Sequence, residues 1–199
     1  MNPAVLIALL GFTFAATITP GPNNLMLMAS GANFGFRRTI PHMMGILIGF
    51  SVMIFLVGMG LMALFDAAPI LNTVLKIVSV AYLLWLAWKI ANASPPEKMD
   101  VESRPMTFLQ AAAFQWVNPK AWAMGLSAIT LYAPDRSLLS VAIVAAAFAL
   151  VCFPAISLWA WVGTVVRRWL SNARRLKIFN VTMALFLIAS LYPVLGIGS

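Results

Sequence analysis

The sequence predicts an all-α integral membrane protein with six transmembrane helices, arranged as two inverted three-helix repeats. Three observations lead to this fold class. The chain of 199 residues is 62% hydrophobic and 9% charged, with a mean hydropathy of +0.95, whereas soluble domains are about half apolar and a quarter charged. Its apolar stretches are long enough to cross a bilayer, which takes about 20 residues. Proline-containing interruptions recur at one spacing in both halves of the chain.

The apolar stretches are predicted to be helices, because an open strand in lipid would leave its backbone groups unpaired. They cover 4–33, 42–65, 69–91, 107–132, 138–166 and 177–195. No Lys or Arg precedes the first stretch, which favours a retained span over a signal peptide. The polar stretch 92–105 contains two adjacent prolines and three acidic residues and predicts a solvated linker. We therefore expect one transmembrane domain over 1–199, with a first repeat at 1–91 and a second at 106–199.

The repeat is indicated by matching positions in the two halves. Pro20 and Pro119 lie 99 residues apart, and the same offset relates Arg37 to Arg136. Each half then has three helices, of which the first is broken near its proline. An odd number of helices in each half places the halves in opposite orientations, an architecture that is typical of transporters.

The distribution of basic residues predicts the orientation. The formal net charge is +8, and no basic stretch carries a nucleic-acid-binding motif, which excludes nucleic acid as the partner. The loops after the first, third and fifth spans hold ten basic residues: Arg37, Arg38, Lys89, Lys98, Arg104, Arg167, Arg168, Arg174, Arg175 and Lys177. Because basic loops stay in the cytoplasm, we expect a multi-pass protein of the bacterial inner membrane with both termini in the periplasm.

The two interruptions are predicted to be helix breaks inside the membrane. The first reads Thr19-Pro20-Gly21-Pro22 and the second includes Pro119. A proline cannot donate to the carbonyl four residues earlier, and its ring crowds that carbonyl. A polar residue followed by proline is also typical of a helix start. Each break is therefore expected to begin a new half-helix whose first N–H groups lack partners.

These half-helices predict a binding site near the middle of the membrane. Two helix N-termini, each with about half a positive charge, together with the Lys120 ammonium, suit an anion such as a carboxylate. The freed carbonyls of Ala16, Ile18 and Gln115, with the side-chain oxygens of Asn23, Asn24 and Gln115, are expected to receive an ammonium group. The candidate substrate-binding residues are Asn23, Asn24, Gln115, Asn118 and Lys120. An amino acid carries both charges, although the residues alone leave a small hydroxy acid or an inorganic ion open.

Two other function classes stay open at this point. An ion channel would use the same backbone groups for a small anion. A membrane interaction module would use the broken helices for packing only. Substrate stereoselectivity, saturation and sensitivity to loss of Lys120 would distinguish a carrier from both.

Other residues receive blander interpretations. His42 follows Pro41 at the inner mouth of the second span, where a solvated interfacial histidine is favoured over a proton-carrying group. Cys152, the one cysteine, is interpreted as an apolar filler. Gly45 and Gly49 form a G-x-x-x-G pattern that predicts close helix packing, within the chain or in a homo-oligomer. No residue pattern indicates a metal or another cofactor.

At its breaks the chain resembles the lysine exporter/homoserine-lactone efflux (LysE/RhtB) family. The resemblance covers nearly the whole chain and rests on TPGPNN at Thr19–Asn24, GFR at Gly35–Arg37, the distal Gly45 and NPKAW at Asn118–Trp122. The phrase YLLWLAWKIA at Tyr82–Ala91 is similar to the third helix of the branch that exports cysteine and O-acetylserine.

The resemblance implies a six-helix permease that exports amino acids or close derivatives, driven by the proton motive force. Related carriers that transfer thiol electrons need a pair of cysteines in the broken helices, and these breaks contain none. Two features of the sequence bear on proton coupling and on the choice of solute. No carboxylate lies in the middle of a span, so chemistry does not name the coupling group. The aromatic residues near the breaks favour small neutral solutes over lysine or arginine: Phe14, Phe114, Trp116 and Trp122.

Overall fold

The computed structural model describes residues 1–93, 104–170 and 172–192, and its regular structure there is helical. The α-helices are α1 (Pro3–Ile18), α2 (Pro22–Phe34), α3 (Phe36–Leu56), α4 (Met62–Ala67), α5 (Ile70–Ala91), α6 (Phe108–Phe114), α7 (Pro119–Tyr132), α8 (Leu138–Arg167) and α9 (Ala173–Ala189). Shorter helical turns join some of them: a π-helix at Val57–Leu61 and 3₁₀ turns at Gln115–Val117 and Arg168–Leu170. Most of the linker predicted at 92–105 lies outside the described residues.

The first predicted span is broken where the prolines lie. Helices α1 and α2 are bent by 54° relative to each other. The new helix begins at Pro22, with Gly21 as its N-cap, and not at Pro20. The three residues 19–21 thus form a non-helical segment between α1 and α2. Their backbone groups are available for partners other than those of a continuous helix.

The second predicted span starts earlier than expected. Gly35 has a φ of 83°, a left-handed conformation that glycine adopts without strain, and it joins α2 directly to α3 at Phe36. Pro41 and His42 are consequently inside α3, and His42 is 1% exposed. The prediction of a solvated interfacial histidine is therefore wrong, because the glycine turn moves the helix start away from Pro41.

The same span is also interrupted near its other end. Gly60 has a φ of 107° within the π-helix Val57–Leu61, and α4 follows this kink. The second broken span of the chain is more regular. A capping box at Thr107 starts α6, and Asn118 caps α7 with Pro119 at the first helical position.

Three helical stretches of the described chain are long and apolar enough to cross a membrane: Phe36–Leu61, Ile70–Ala91 and Leu138–Leu170. The bent pair α1 and α2 raises this number to four if it forms one span. The all-α membrane fold is thus confirmed, whereas the six spans and their inverted arrangement remain predictions.

Glycines set the closest helix contacts. A Cβ on Gly31 would overlap the Ala160 backbone of α8, and a Cβ on Gly163 would overlap the Met28 backbone of α2. Gly45 and Gly49 similarly pack α3 against α6. The G-x-x-x-G pattern therefore mediates close packing within the chain. These contacts leave α2 held between α3 and α8, with its N-terminus directed into the site described next.

Candidate functional site

The two breaks meet through Lys120. Its Nζ atom lies 2.8 Å from the Thr19 carbonyl oxygen, 2.8 Å from Thr19 Oγ1 and 3.2 Å from the Pro20 carbonyl oxygen. A Cβ on Gly21 would lie 2.6 Å from Lys120 Cδ. Gly21 itself is extended, with a φ of −179°, so its role here is to leave space for the lysine.

This contact differs from the prediction that Lys120 awaits an anion. In the structure the ammonium binds the carbonyls that follow α1, where the helix dipole places partial negative charge. A cation in an apolar environment must be paired. Among the described residues, the oxygen atoms of Thr19 and Pro20 are the partners of the ammonium.

The N-terminus of α2 remains open, while that of α7 is closed. Gly21 provides no side-chain cap for α2. By contrast, Asn118 Oδ1 accepts from the Lys120 backbone N–H at 3.2 Å. Of the two predicted anion-binding helix ends, only that of α2 is left without a cap from its own chain.

The freed carbonyls expected to bind an ammonium group already have donors. Ala16 O accepts from Thr19 Oγ1 at 3.0 Å, and Ile18 O accepts from Trp159 Nε1 at 3.0 Å. The Gln115 carbonyl accepts from the Asn118 backbone at 3.3 Å. Each of these three carbonyls thus has one donor in the structure, from a local turn or from Trp159, and a carbonyl oxygen has two lone pairs. The Thr19 and Pro20 carbonyls differ in that Lys120 holds them across the two breaks.

The amide side chains tie the breaks together. Asn23 and Gln115 exchange two hydrogen bonds, at 2.8 and 3.1 Å. Asn24 Nδ2 donates to the carbonyls of Thr17 and Thr19, at 2.7 and 2.8 Å. These hydrogen bonds of Asn24 use only its nitrogen, which leaves Oδ1 as an acceptor for a solute.

A small cavity lies between the breaks. Four of the predicted binding residues, Asn23, Asn24, Asn118 and Lys120, line it together with Gly21. Gln115 is not among the lining residues and instead holds Asn23. The cavity volume is about 20 Å³, enough for about one water molecule. The structure therefore shows the site in a contracted form.

The apolar wall of this cavity comes from helices α3, α7 and α8: Ile46, Phe50, Met124, Cys152 and Ile156 line it. The four aromatic residues that the sequence places near the breaks are not among the residues that line this cavity. Phe14 is 57% exposed on the outside of α1, and Phe114 packs against Tyr82. The 3₁₀ turn places Trp116 and Trp122 against each other, away from the cavity.

A second cavity of about 290 Å³ lies beside the same break. It shares Gly21 with the small cavity, and its lining is mostly apolar: Pro20, Leu25, Met28, Trp159, Met183, Phe186 and Ser190. Within the described ranges, no three His, Cys, Asp or Glu side chains come together as metal ligands would.

Sequence reasoning missed the residues of α3 and α8 that complete the site. In the sequence, Ile46, Phe50 and Cys152 cannot be distinguished from the other apolar residues of their spans. The one usable signal is the G-x-x-x-G pattern, because it brings the face of α3 that carries Ile46 close to α6 and hence to the second break.

The fold and the site define a transport protein, with apolar helices around a polar break. Comparison with known proteins agrees. The family model described as LysE type translocator matches residues 14–190, and the chain belongs to this family.

Similar proteins with curated names include the cysteine/O-acetylserine efflux proteins of Escherichia coli (strain K12) and Shigella sonnei (strain Ss046). Each is 31% identical over 192 residues, which cover 94% of this chain and 96% of the relative. No solved structure matches the chain. Family and relatives together support an amino-acid exporter in a bacterial membrane and exclude an enzyme.

Proposed function

We propose that this protein exports amino acids, or close derivatives with small neutral side chains, from a site between its two helix breaks. The observation that carries the proposal is the contact of Lys120 with the Thr19 and Pro20 carbonyls. This pair places a cation and a set of acceptors side by side, and a zwitterion is complementary to both.

The solute enters by exchanging partners with Lys120. Its carboxylate takes the Lys120 ammonium and the open N-terminus of α2, where backbone N–H groups favour an anion. Its α-ammonium takes the carbonyls that Lys120 leaves, together with Asn24 Oδ1. Each charge in the site is paired before and after the exchange, which avoids the cost of an isolated charge in the membrane.

Binding requires the site to expand. Ligand pockets usually exceed about 300 Å³, whereas the small cavity measures about 20 Å³. Gly21 lines both this cavity and the larger one. A displacement of the Pro20–Gly21 segment would join the two and provide the missing volume, which is why a carrier with conformational steps is favoured over an open channel.

The wall of the site supports small neutral solutes. Ile46, Met124 and Ile156 line it, and a cationic solute side chain would need a carboxylate that this wall lacks. The relatives named for cysteine and O-acetylserine efflux agree with such side chains. Cysteine, O-acetylserine and similar amino acids are therefore the first solutes to test.

The topology completes the proposal. Six spans form two inverted repeats, 1–91 and 106–199, with both termini in the periplasm and the proton motive force as the energy source. Two features support the repeat: each half has a proline break, near Pro20 or Pro119, and in each half the short helix after the break is followed by a long one, α3 or α8. A reporter fused after Ser199 should be active in the periplasm, and activity only in the cytoplasm would contradict the orientation.

The function is tested by counterflow in proteoliposomes. Vesicles preloaded with one amino acid are diluted into a labelled one, with cysteine, O-acetylserine, serine, alanine and lysine as the panel. The expected result is saturable, stereoselective exchange of small neutral amino acids, with no exchange of analogues that lack the carboxylate, such as cysteamine. Conductance without saturation would indicate a channel, and no exchange of any amino acid would refute the proposed function.

A further inference from the structure

His42 is an unusual side chain for the interior of this protein. It is 1% exposed, and neither Nδ1 nor Nε2 has a hydrogen-bond partner among the described residues. In the described chain these are the only fully buried side-chain nitrogen or oxygen atoms without one. Leaving such a group unpaired costs about 1–3 kcal/mol, so a partner such as water is expected in at least one state of the protein.

The position of His42 connects it to the site. On α3 it lies one turn before Ile46, and residues four apart lie on the same helix face. Ile46 and Phe50 of this face line the small cavity with Lys120. The imidazole is therefore about 6 Å along the helix axis from the cavity wall, on the side toward Arg37 and Arg38.

The described helices packed around His42 carry no carboxylate. The helices that pack on α3 are α2, α6, α7 and α8, and neither α2 nor α6 carries a titratable side chain. The titratable groups on the others and on α3 itself are Arg37, Arg38, Lys120, Tyr132, Cys152 and Arg167. A proton on His42 thus adds a cation to a region whose charged groups are all cationic.

We propose that His42 is the proton-binding group that couples solute export to the proton gradient. It is neutral in the contracted site and protonated in a state where water reaches the imidazole. The proton binds the free ring nitrogen when the site faces the periplasm and leaves it toward the cytoplasm. Histidine is suited to this because it ordinarily changes charge between about pH 5 and 8.

Lys120 could also carry a proton, but the proposed function uses its charge to hold the solute, and the other residues of the chain leave few alternatives for this role. All five acidic residues, Asp66, Glu97, Asp100, Glu102 and Asp135, lie outside the middle of the predicted spans, and His42 is the one histidine. Because protonation and conformation share one equilibrium, a proton that favours the hydrated state must also change solute affinity. This inference rests on the proposed function, since it names the coupling group of that same site.

The test separates gradient-driven transport from exchange. Everted vesicles with an acidic lumen should accumulate solute, up to about tenfold per pH unit for one proton per solute. The His42→Gln variant should lose this accumulation but keep counterflow exchange at the wild-type rate. Thr39→Val, a change at another buried polar residue of α3, should keep both.

Accumulation by His42→Gln, or loss of exchange together with accumulation at normal membrane abundance, would overturn the inference. If wild-type vesicles exchange solute but ignore the pH gradient, the coupling fails while the export function stands. If wild-type vesicles exchange no amino acid, the proposed function itself fails.

A second measurement applies if the variant does not reach the membrane. Wild-type protein with ¹⁵N-labelled histidine, carrying a histidine-free purification tag, should give one imidazole signal in lipid nanodiscs. We expect this signal to change as the pH is lowered and to change again when solute is added. A signal that does not change with pH or with solute would overturn the inference.

Discussion

Replacement of Lys120 by methionine should abolish export while leaving the fold intact. Methionine keeps most of the length of the side chain but removes the cation. The expected loss of solute binding follows from the charge exchange proposed above, because the solute carboxylate would enter the site without a partner.

The effect on folding can be worked out from the contacts. Thr19 O keeps a donor in Asn24 Nδ2, and Thr19 Oγ1 keeps its bond to Ala16. Pro20 O is the one acceptor left without a partner, at a cost of about 1–3 kcal/mol. Removing an ammonium from the membrane interior returns about 2.5–3.5 kcal/mol. The net change in the free energy of unfolding should therefore lie between a loss of about 0.5 and a gain of about 2.5 kcal/mol.

The effect on transport should be larger. Breaking a buried charge pair by removing one partner costs about 3–5 kcal/mol, which corresponds to a loss of about a hundredfold or more in solute affinity. Counterflow of the preferred amino acid should fall accordingly, at unchanged membrane abundance. The Lys120→Arg variant should retain part of the activity, because it keeps the positive charge.

Lys76→Met provides the matched control. Lys76 is an exposed lysine of α5, and the same substitution there should leave counterflow unchanged. A fully active Lys120→Met protein would refute the reasoning, and equal losses in both variants would show that the assay reports general damage.

Two glycines make further predictions. Gly21→Ala should displace the Lys120 side chain, whose Cδ would lie 2.6 Å from the new Cβ, and should weaken solute affinity with little loss of thermal stability. The control Gly11→Ala places its Cβ where nothing lies within 4 Å and should change neither quantity. Equal solute affinity in the two variants would contradict this prediction. Gly163→Ala should lower the free energy of unfolding by about 1–3 kcal/mol, because its Cβ would overlap the backbone of α2 and overpacking has this cost. Gly125→Ala, whose nearest contact is an ordinary 3.5 Å, should be neutral, and similar unfolding curves for these two variants would count against the tight crossing.

The helix breaks are predictable from sequence because proline acts locally. A proline removes a specific hydrogen bond wherever it stands inside a helix, so Pro22 and Pro119 indicate helix starts with no knowledge of the fold. Asn118 is likewise a good cap in any context. These local rules predict where the two half-helices begin, and the packing of the helices then brings four of the five predicted binding residues to one cavity.

The partners of these residues are not predictable in the same way. Whether Lys120 faces a solute or the carbonyls after α1 depends on how two helices cross, and Gly21 permits the close approach only in that packing. His42 shows the same limit. Its burial depends on the positive φ of Gly35. The sequence does not predict this conformation, because glycine adopts positive and negative φ values about equally readily.

The most direct test of the site uses the single cysteine. Cys152 lies in the wall of the small cavity, so thiol alkylation in wild-type membranes reports access to the site, and a Cys152→Ala variant gives the background. We predict that a small thiol reagent modifies Cys152 during transport, and that exchanged amino acids without a thiol slow this reaction in the wild type and fail to slow it in Lys120→Met. Their decarboxylated analogues should not slow it in either protein. Alkylation that no transported amino acid slows, or that serine and ethanolamine slow equally, would contradict a solute held between the two breaks.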